Sequence, residues 1–451
     1  MKAHIFNIIL VILLVLFYSG VSPYIISSAY FILVVNQIIY KFGKGIILME
    51  LIMFFSGLTY LLMPMLGYTI YTKTNKLIIL WDKAMPIPED VYFDFFLPSI
   101  LVFSIGLYWH FSTNTPIDSG TYIKERVDDI KLKLKNALNI GITIASVGIA
   151  FYFINKFVSS FGYLGTLGYF MLFPGIMYVY FTPKNNLKYI FMAIFASFII
   201  FDALQTGMFT IIVYMGATMF SVALLGQNIK YYVKLLTLAF SIFFIFIVQG
   251  VKSSVRNVKS VTNTFSFSSQ SDVEKLLTPD GFFPMYVRFN QGFLGAKVLE
   301  YIPKKSNFDN GNSITNALLA SVIPRIFWPD KPESGGVYNI KRFIGLNLKG
   351  YSMNIGPPAE AYGNFGVTGG ILFMLFFGIL IRFFYIKIIK LSQKNSLLIL
   401  WLPITFFQVI YCMENDVMQA LNSLFKGSLF IYVLSKLAPS FFNLKVKESF
   451  K

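Results

Sequence analysis

Stretches of about 20 residues with almost no charge recur along this chain, and they leave it few ways to fold. An α-helix rises 1.5 Å per residue, so roughly 20 apolar residues cross a hydrocarbon core about 30 Å thick. Lipid offers the backbone no hydrogen-bond partner, so segments of this kind must satisfy themselves as helices. Twelve candidate spans can be marked, roughly 4–22, 24–40, 45–70, 93–111, 137–155, 163–181, 187–205, 207–226, 234–250, 367–386, 397–413 and 424–438. Pro64 predicts a kink or a re-entrant stretch in the third, and the twelfth is short with Lys426 near its start. Composition agrees: of 451 residues, 56% are hydrophobic and 13% are charged, against roughly 25% charged in soluble domains. The expected fold class is all-α, a polytopic membrane protein with about 12 transmembrane helices and one large outer loop of short helices.

The formal net charge is +17. In a soluble protein such a balance points to nucleic acid; here the cations sit between spans, and topology explains them. With the amino terminus inside, twenty Lys and Arg fall on the inner side and five in the short loops opposite. That bias places both termini in the cytoplasm and residues 251–366 on the outer side. The chain then divides into a transmembrane region of about nine spans (1–250), a large outer loop (251–366), and about three further spans with a cytoplasmic tail (367–451). The first 22 residues have a basic start and no small-residue cleavage site, so they are expected to be the first span. The mixed-charge stretch 118–136 is expected to be a surface helix. One cysteine, Cys412, and two histidines, His4 and His110, leave no internal disulfide, no cysteine-rich metal site and little for histidine-based catalysis.

The outer loop holds 13 Lys or Arg and 8 Asp or Glu, an excess of cations where outer segments usually avoid them. Ser271 and Glu274 fit a helix capping box. Residues 285–301, with Arg288 among apolar neighbours, fit a short amphipathic helix at the bilayer surface. Ser313 is placed to cap a helix through Val322, because Pro324 disfavours helix at Ile323. Pro324, Pro329 and Pro332 then stiffen the backbone from 323 to 332. On that frame Arg325 can fork onto two phosphate oxygens, or pair with Asp330, and Lys331 adds a mobile point charge. Trp328 offers a flat face for a sugar ring or an anchor at the bilayer interface.

Gly356 to Gly366 lead into the tenth span. Glu360 there sits close to the membrane surface, where burial suits a carboxyl to general-base work, although capping the span is the other use. Tyr362 and Asn364 can bind hydroxyls. Glu414 and Asp416 form an E-x-D triplet that two-carboxylate metal sites use, but the spacing is common by chance. Glu50 and Asp202 fall within or at the ends of spans, where carboxylates are costly and often functional. No Gly-rich phosphate loop, H-E-x-x-H or G-x-S-x-G is present.

At Ile323-Pro-Arg-Ile-Phe-Trp-Pro-Asp-Lys-Pro332, followed by Glu360-Ala-Tyr-Gly-Asn-Phe-Gly366, the chain resembles the O-antigen polymerases, the Wzy family of bacterial oligosaccharide repeat-unit polymerases. Arg325 is followed by ten residues and then Gly336, matching an R-x10-G pattern of some members. The resemblance implies a glycosyltransferase in the bacterial plasma membrane, with its large loop periplasmic or extracellular. Such an enzyme moves a growing glycan, carried on polyprenyl (undecaprenyl) pyrophosphate, onto a sugar hydroxyl of the next lipid-linked repeat unit. Arg325 and Lys331, then Arg288, would face the departing pyrophosphate. Glu360, then Asp330, would take the proton of the acceptor hydroxyl. Trp328, Tyr362 and Asn364 would contact sugar. No cofactor and no metal is required. A flippase and a chain-length regulator are the implied protein partners, and nucleic acid is not one.

Three other readings compete. The O-antigen ligases share the layout, but a histidine is expected in their loop and residues 251–366 contain none. A lipid-linked oligosaccharide flippase needs charge along the membrane interior, which is scarce here. A non-catalytic membrane scaffold needs neither motif.

Overall fold

The computed structural model describes residues 3–72, 85–111, 120–158, 162–206, 209, 211–241, 243–244, 278–323, 327–332, 334–347 and 353–442. Among them every regular element is helical. The helices are α1 (Ala3–Tyr18), α2 (Pro23–Lys41), α3 (Leu48–Thr69), α4 (Glu89–Leu107), α5 (Gly120–Lys133), α6 (Leu138–Phe157), α7 (Gly162–Phe181), α8 (Asn186–Thr206) and α9 (Ile211–Ala223). The long segment between α9 and the last three helices adds α10 (Pro279–Phe289), α11 (Gly292–Tyr301), α12 (Asn312–Val322) and α13 (Gly336–Ile344). The chain closes with α14 (Pro357–Leu391), α15 (Ser396–Glu414) and α16 (Val417–Leu437).

Nine of these are long and apolar enough to cross a membrane: α2, α3, α4, α6, α7, α8, α14, α15 and α16. The apolar helices at α1 and α9 are shorter. The expected span 234–250 begins as a helical run over 231–241, and 245–250 lie outside the described residues. A polytopic helical membrane protein is therefore what the chain folds into. The expected count of twelve rests on those three additional segments.

Small residues and satisfied backbone hold the bundle together. Lipid gives apolar faces little reason to separate from it, so helices must gain from close packing. α4 and α14 cross where Gly106 meets Gly378: a Cβ on Gly106 would lie 3.0 Å from the Gly378 Cα. In α3, Pro64 cannot donate to the carbonyl four residues back. The helix widens into a π-turn over Leu58–Leu62, and the Tyr92 hydroxyl donates to the freed Tyr60 carbonyl at 2.9 Å. The kink read from Pro64 is thus a π-turn with an external partner. Inside the spans, Glu50 is fully buried and pairs with Lys41 at 2.8 Å, and Asp202 accepts from the Tyr169 hydroxyl at 3.1 Å.

Three loop expectations change. Residues 285–301 are not one surface helix. α10 stops at Phe289, Asn290 caps the next turn by accepting from Phe293 N at 3.1 Å, and α11 buries most of its surface in the bundle. α12 does end at Val322 with Ile323 extended, as Pro324 requires. Its start, however, is capped by Asp309, whose Oδ2 accepts from Ser313 N at 2.8 Å. The Ser313 side chain turns instead to Asn364. The proposed capping box at Ser271 and Glu274 lies outside the described residues. The mixed-charge helix is present as α5, which docks on the bundle through a buried stripe and a 2.9 Å bond from the Tyr122 hydroxyl to the Ile389 carbonyl.

Candidate functional site

α14 is interrupted at Gly366, which has φ +68° and ψ −162°. Such a conformation suits glycine alone. The break sets a short segment, residues 357–365, at an angle to the longer part that follows. It also delivers Glu360, 2% exposed, to the mouth of the bundle beneath helices α10 to α13.

There Glu360 meets the turn between α15 and α16. Its Oε2 accepts from Val417 N at 3.0 Å. Asp416, one residue earlier and also 2% exposed, is the hub of the turn. Its Oδ1 caps α16 by accepting from Gln419 N at 2.6 Å. Its Oδ2 accepts from Gly335 N at 2.8 Å and from Asn354 Nδ2 at 3.1 Å. Asn354 is in turn held by Gln291 and Asn339, which donate to its backbone and side-chain oxygens. The Tyr60 hydroxyl donates to the neighbouring Ile355 carbonyl at 2.5 Å. A ring of buried amides and one tyrosine therefore fixes the 353–356 loop against two carboxyls.

Gly336 belongs to the same arrangement. A Cβ on it would fall inside the carbonyl of Met353. Only glycine lets the 353–356 loop cross the start of α13 so closely, and this gives the R-x10-G glycine a physical reason.

Burial drives the Asp416 carboxyl above its usual range, against the pull of its hydrogen-bond donors. Glu360, Asp416, Ser313, Asn316, Pro332, Tyr338 and Asn339 line one small cavity of about 20 Å³, room for about one water molecule. Glu360 receives one backbone donor on Oε2, and a carboxylate has about four acceptor positions, so it retains capacity to accept a proton from a hydroxyl placed in that cavity.

The other candidate residues divide. Lys331 is part-buried and its Nζ donates to the Ile323 carbonyl at 2.8 Å, closing the proline segment on itself. Trp328 packs partly buried against the core, and Asp330 is exposed. Arg325 lies outside the described residues. Arg288 is paired with Glu414 at 2.6 Å, and Glu414 also accepts from the Tyr214 hydroxyl at 2.5 Å. The Tyr362 hydroxyl donates to the Ile302 carbonyl at 3.3 Å, and Asn364 donates to Ser313 Oγ and the Glu360 carbonyl. In this structure Tyr362 and Asn364 therefore brace the site from behind and do not line its cavity.

The E-x-D carboxylates turn to different partners, Glu414 to Arg288 and Asp416 to α16 and the 353–356 loop. Among the described residues no group of three or more His, Cys, Asp or Glu could hold a metal ion. Sequence reasoning missed Asp416 as the partner of Glu360. The signal was present as the second carboxylate of that triplet, but nothing local ties residue 416 to residue 360. Comparison with protein-family models, with curated proteins and with solved structures finds no match to this chain.

Proposed function

We propose that this chain is a glycosyltransferase that polymerises polyprenyl-pyrophosphate-linked oligosaccharide repeat units at the outer face of a bacterial plasma membrane. One observation carries the reading: the two segments that bear the family resemblance line one cavity, Pro332 from the first and Glu360 from the second. A flippase has no need to bring a stiff outer loop and a buried carboxyl to one end of the bundle. A ligase of the resembling kind would be expected to bring a loop histidine, and residues 251–366 have none.

In the proposed reaction the acceptor sugar hydroxyl loses its proton to the Glu360 carboxylate as its oxygen attacks the anomeric carbon of the growing chain. The bond from that carbon to the carrier's pyrophosphate breaks, and polyprenyl pyrophosphate departs with the electron pair. Charge grows on the leaving phosphate, so a cation beside it lowers the barrier; Arg325 and Lys331 are assigned to it, both close in sequence to Pro332. Arg288 is the weaker candidate because Glu414 already neutralises it. Asp416 holds the 353–356 loop that walls the site. A cavity the size of one water cannot admit a sugar ring, so substrate entry requires the wall formed by Pro332, Tyr338 and Asn339 to move away from α16.

The cell-based test is a strain in which this chain is the sole polymerase. Loss of the gene is expected to leave single repeat units capping the lipid anchor, and Glu360→Gln to reproduce that phenotype with normal protein in the membrane. Loss of all surface sugar would instead indicate a flippase, and long polymer retained on its carrier a ligase.

A further inference from the structure

A second cavity shares no lining residue with the one at Glu360. It measures about 420 Å³ and opens between α2, α3, α9 and the helical run over 231–241, within the range of about 300–1,000 Å³ found for ligand pockets. Phe42, Phe54, Phe55, Phe220 and Phe244 supply much of its wall. Apart from Lys234, its polar side chains are Thr237 and Ser241, and both hydroxyls donate to carbonyls of their own helix at 2.8 Å. The interior is therefore hydrocarbon in character, and no carboxylate lines it.

Its depth and its charge both have a direction. The helical run climbs about 10 Å from Lys234 to Ser241, and Phe244 continues the lining beyond it. Lys234 stands at one end, 8% exposed, and its Nζ donates to the Ile39 carbonyl at 3.0 Å. An ammonium has three donors, and among the described residues no carboxylate pairs with this one. Lys230 lies one helical turn before it and is exposed, as is Lys44. The turn that carries Lys44 is fastened to the α9 end by Gly226 N donating to the Gly43 carbonyl at 2.9 Å. This rim sits at the Leu48 end of α3. The Glu360 cavity is reached from the other half of α3, through Tyr60.

We propose that this cleft binds one anionic phospholipid of the leaflet remote from Glu360, with an acyl chain in the cleft and the phosphate against Lys234, Lys44 and Lys230. The cleft is lined with hydrocarbon and ends at three cations, with no carboxylate among its lining. A zwitterionic lipid would bring its own cation to that rim and gain less. The carrier lipid of the proposed reaction would need its head at the opposite end. The inference does not rest on the proposed enzymatic activity.

Native mass spectrometry of the full-length protein in detergent tests it, with phosphatidylglycerol, phosphatidylcholine of the same chains, glycerol 3-phosphate and decaprenyl phosphate as probes. One phosphatidylglycerol should be retained at concentrations where phosphatidylcholine is lost. Lys234→Met should weaken retention about five- to tenfold. Ala217→Phe, which fills the cleft without changing charge, should weaken both lipids. The exposed pair Lys44→Ala and Lys230→Ala should weaken phosphatidylglycerol alone, and it leaves the packed interior untouched should Lys234→Met fail to fold. Equal retention of both phospholipids, retention unchanged in the variants, binding of glycerol 3-phosphate alone, or displacement of phosphatidylglycerol by equimolar decaprenyl phosphate would each overturn the proposal.

Discussion

Asp416 accepts hydrogen bonds from two segments distant in sequence, Gly335 before α13 and Asn354 in the loop before α14, and from Gln419 in the first turn of its own helix α16. Its folded carboxyl holds a proton more tightly than the ordinary value of 3.8, mainly because it is buried. The sign of the consequence follows by linkage. Above about pH 4 the unfolded chain releases this proton while the folded chain keeps it, so the stabilisation is largest at low pH and declines as pH rises through the folded value. The melting temperature in detergent is expected to fall as pH rises from 4 toward neutrality, with a shallower slope in Asp416→Asn. Equal slopes would mean that Asp416 is not titrating in the folded site. Little of this was legible in the sequence. Glu360 was, because a carboxyl beside an apolar span is conspicuous. Asp416 was not, because an E-x-D triplet reads as two carboxylates on one ligand, and here they serve different neighbours.

Helix termini and kinks show what local sequence can and cannot settle. Where one residue acts on its own backbone, the expectation holds: Pro324 ends α12 at Val322, and Pro64 disturbs α3. Where two residues compete for one role, it fails: Asp309 takes the cap that Ser313 could have supplied, and Asn290 splits the 285–301 stretch. α11 is buried on most sides and keeps only a narrow polar edge, the paired Lys297 and Glu300, too little to betray its place. The π-turn in α3 needs a partner from another helix, and Tyr92 provides it. Tyr92→Phe leaves the Tyr60 carbonyl without that donor inside lipid. A loss of about 1–2 kcal/mol is expected, read as a lowered melting temperature in detergent. An unchanged melting temperature would show that the π-turn satisfies that carbonyl without help.

At the scale of the whole molecule, apolar runs were the most legible feature, and each of the twelve expected spans coincides at least in part with a helix among the described residues. Charge patterning predicts the sides. Lys44 and Lys305 are both exposed and lie toward opposite ends of the bundle, and the single native cysteine is buried. A membrane-impermeant maleimide should therefore label Lys305→Cys in intact cells and Lys44→Cys only after permeabilisation. The reverse pattern would invert the topology and put the Glu360 cavity on the cytoplasmic face, where the proposed reaction has no substrate. The proposed polymerase activity is tested most directly by supplying purified protein with a defined polyprenyl-pyrophosphate-linked repeat unit and resolving the products by length. A ladder of polymer is predicted with wild-type protein, with and without chelator. Glu360→Gln should reduce it at least a hundredfold, in keeping with the loss of a general base, while its melting profile stays that of a folded protein. Absence of any ladder from wild-type protein across a panel of repeat units, or a full ladder from Glu360→Gln, would contradict it.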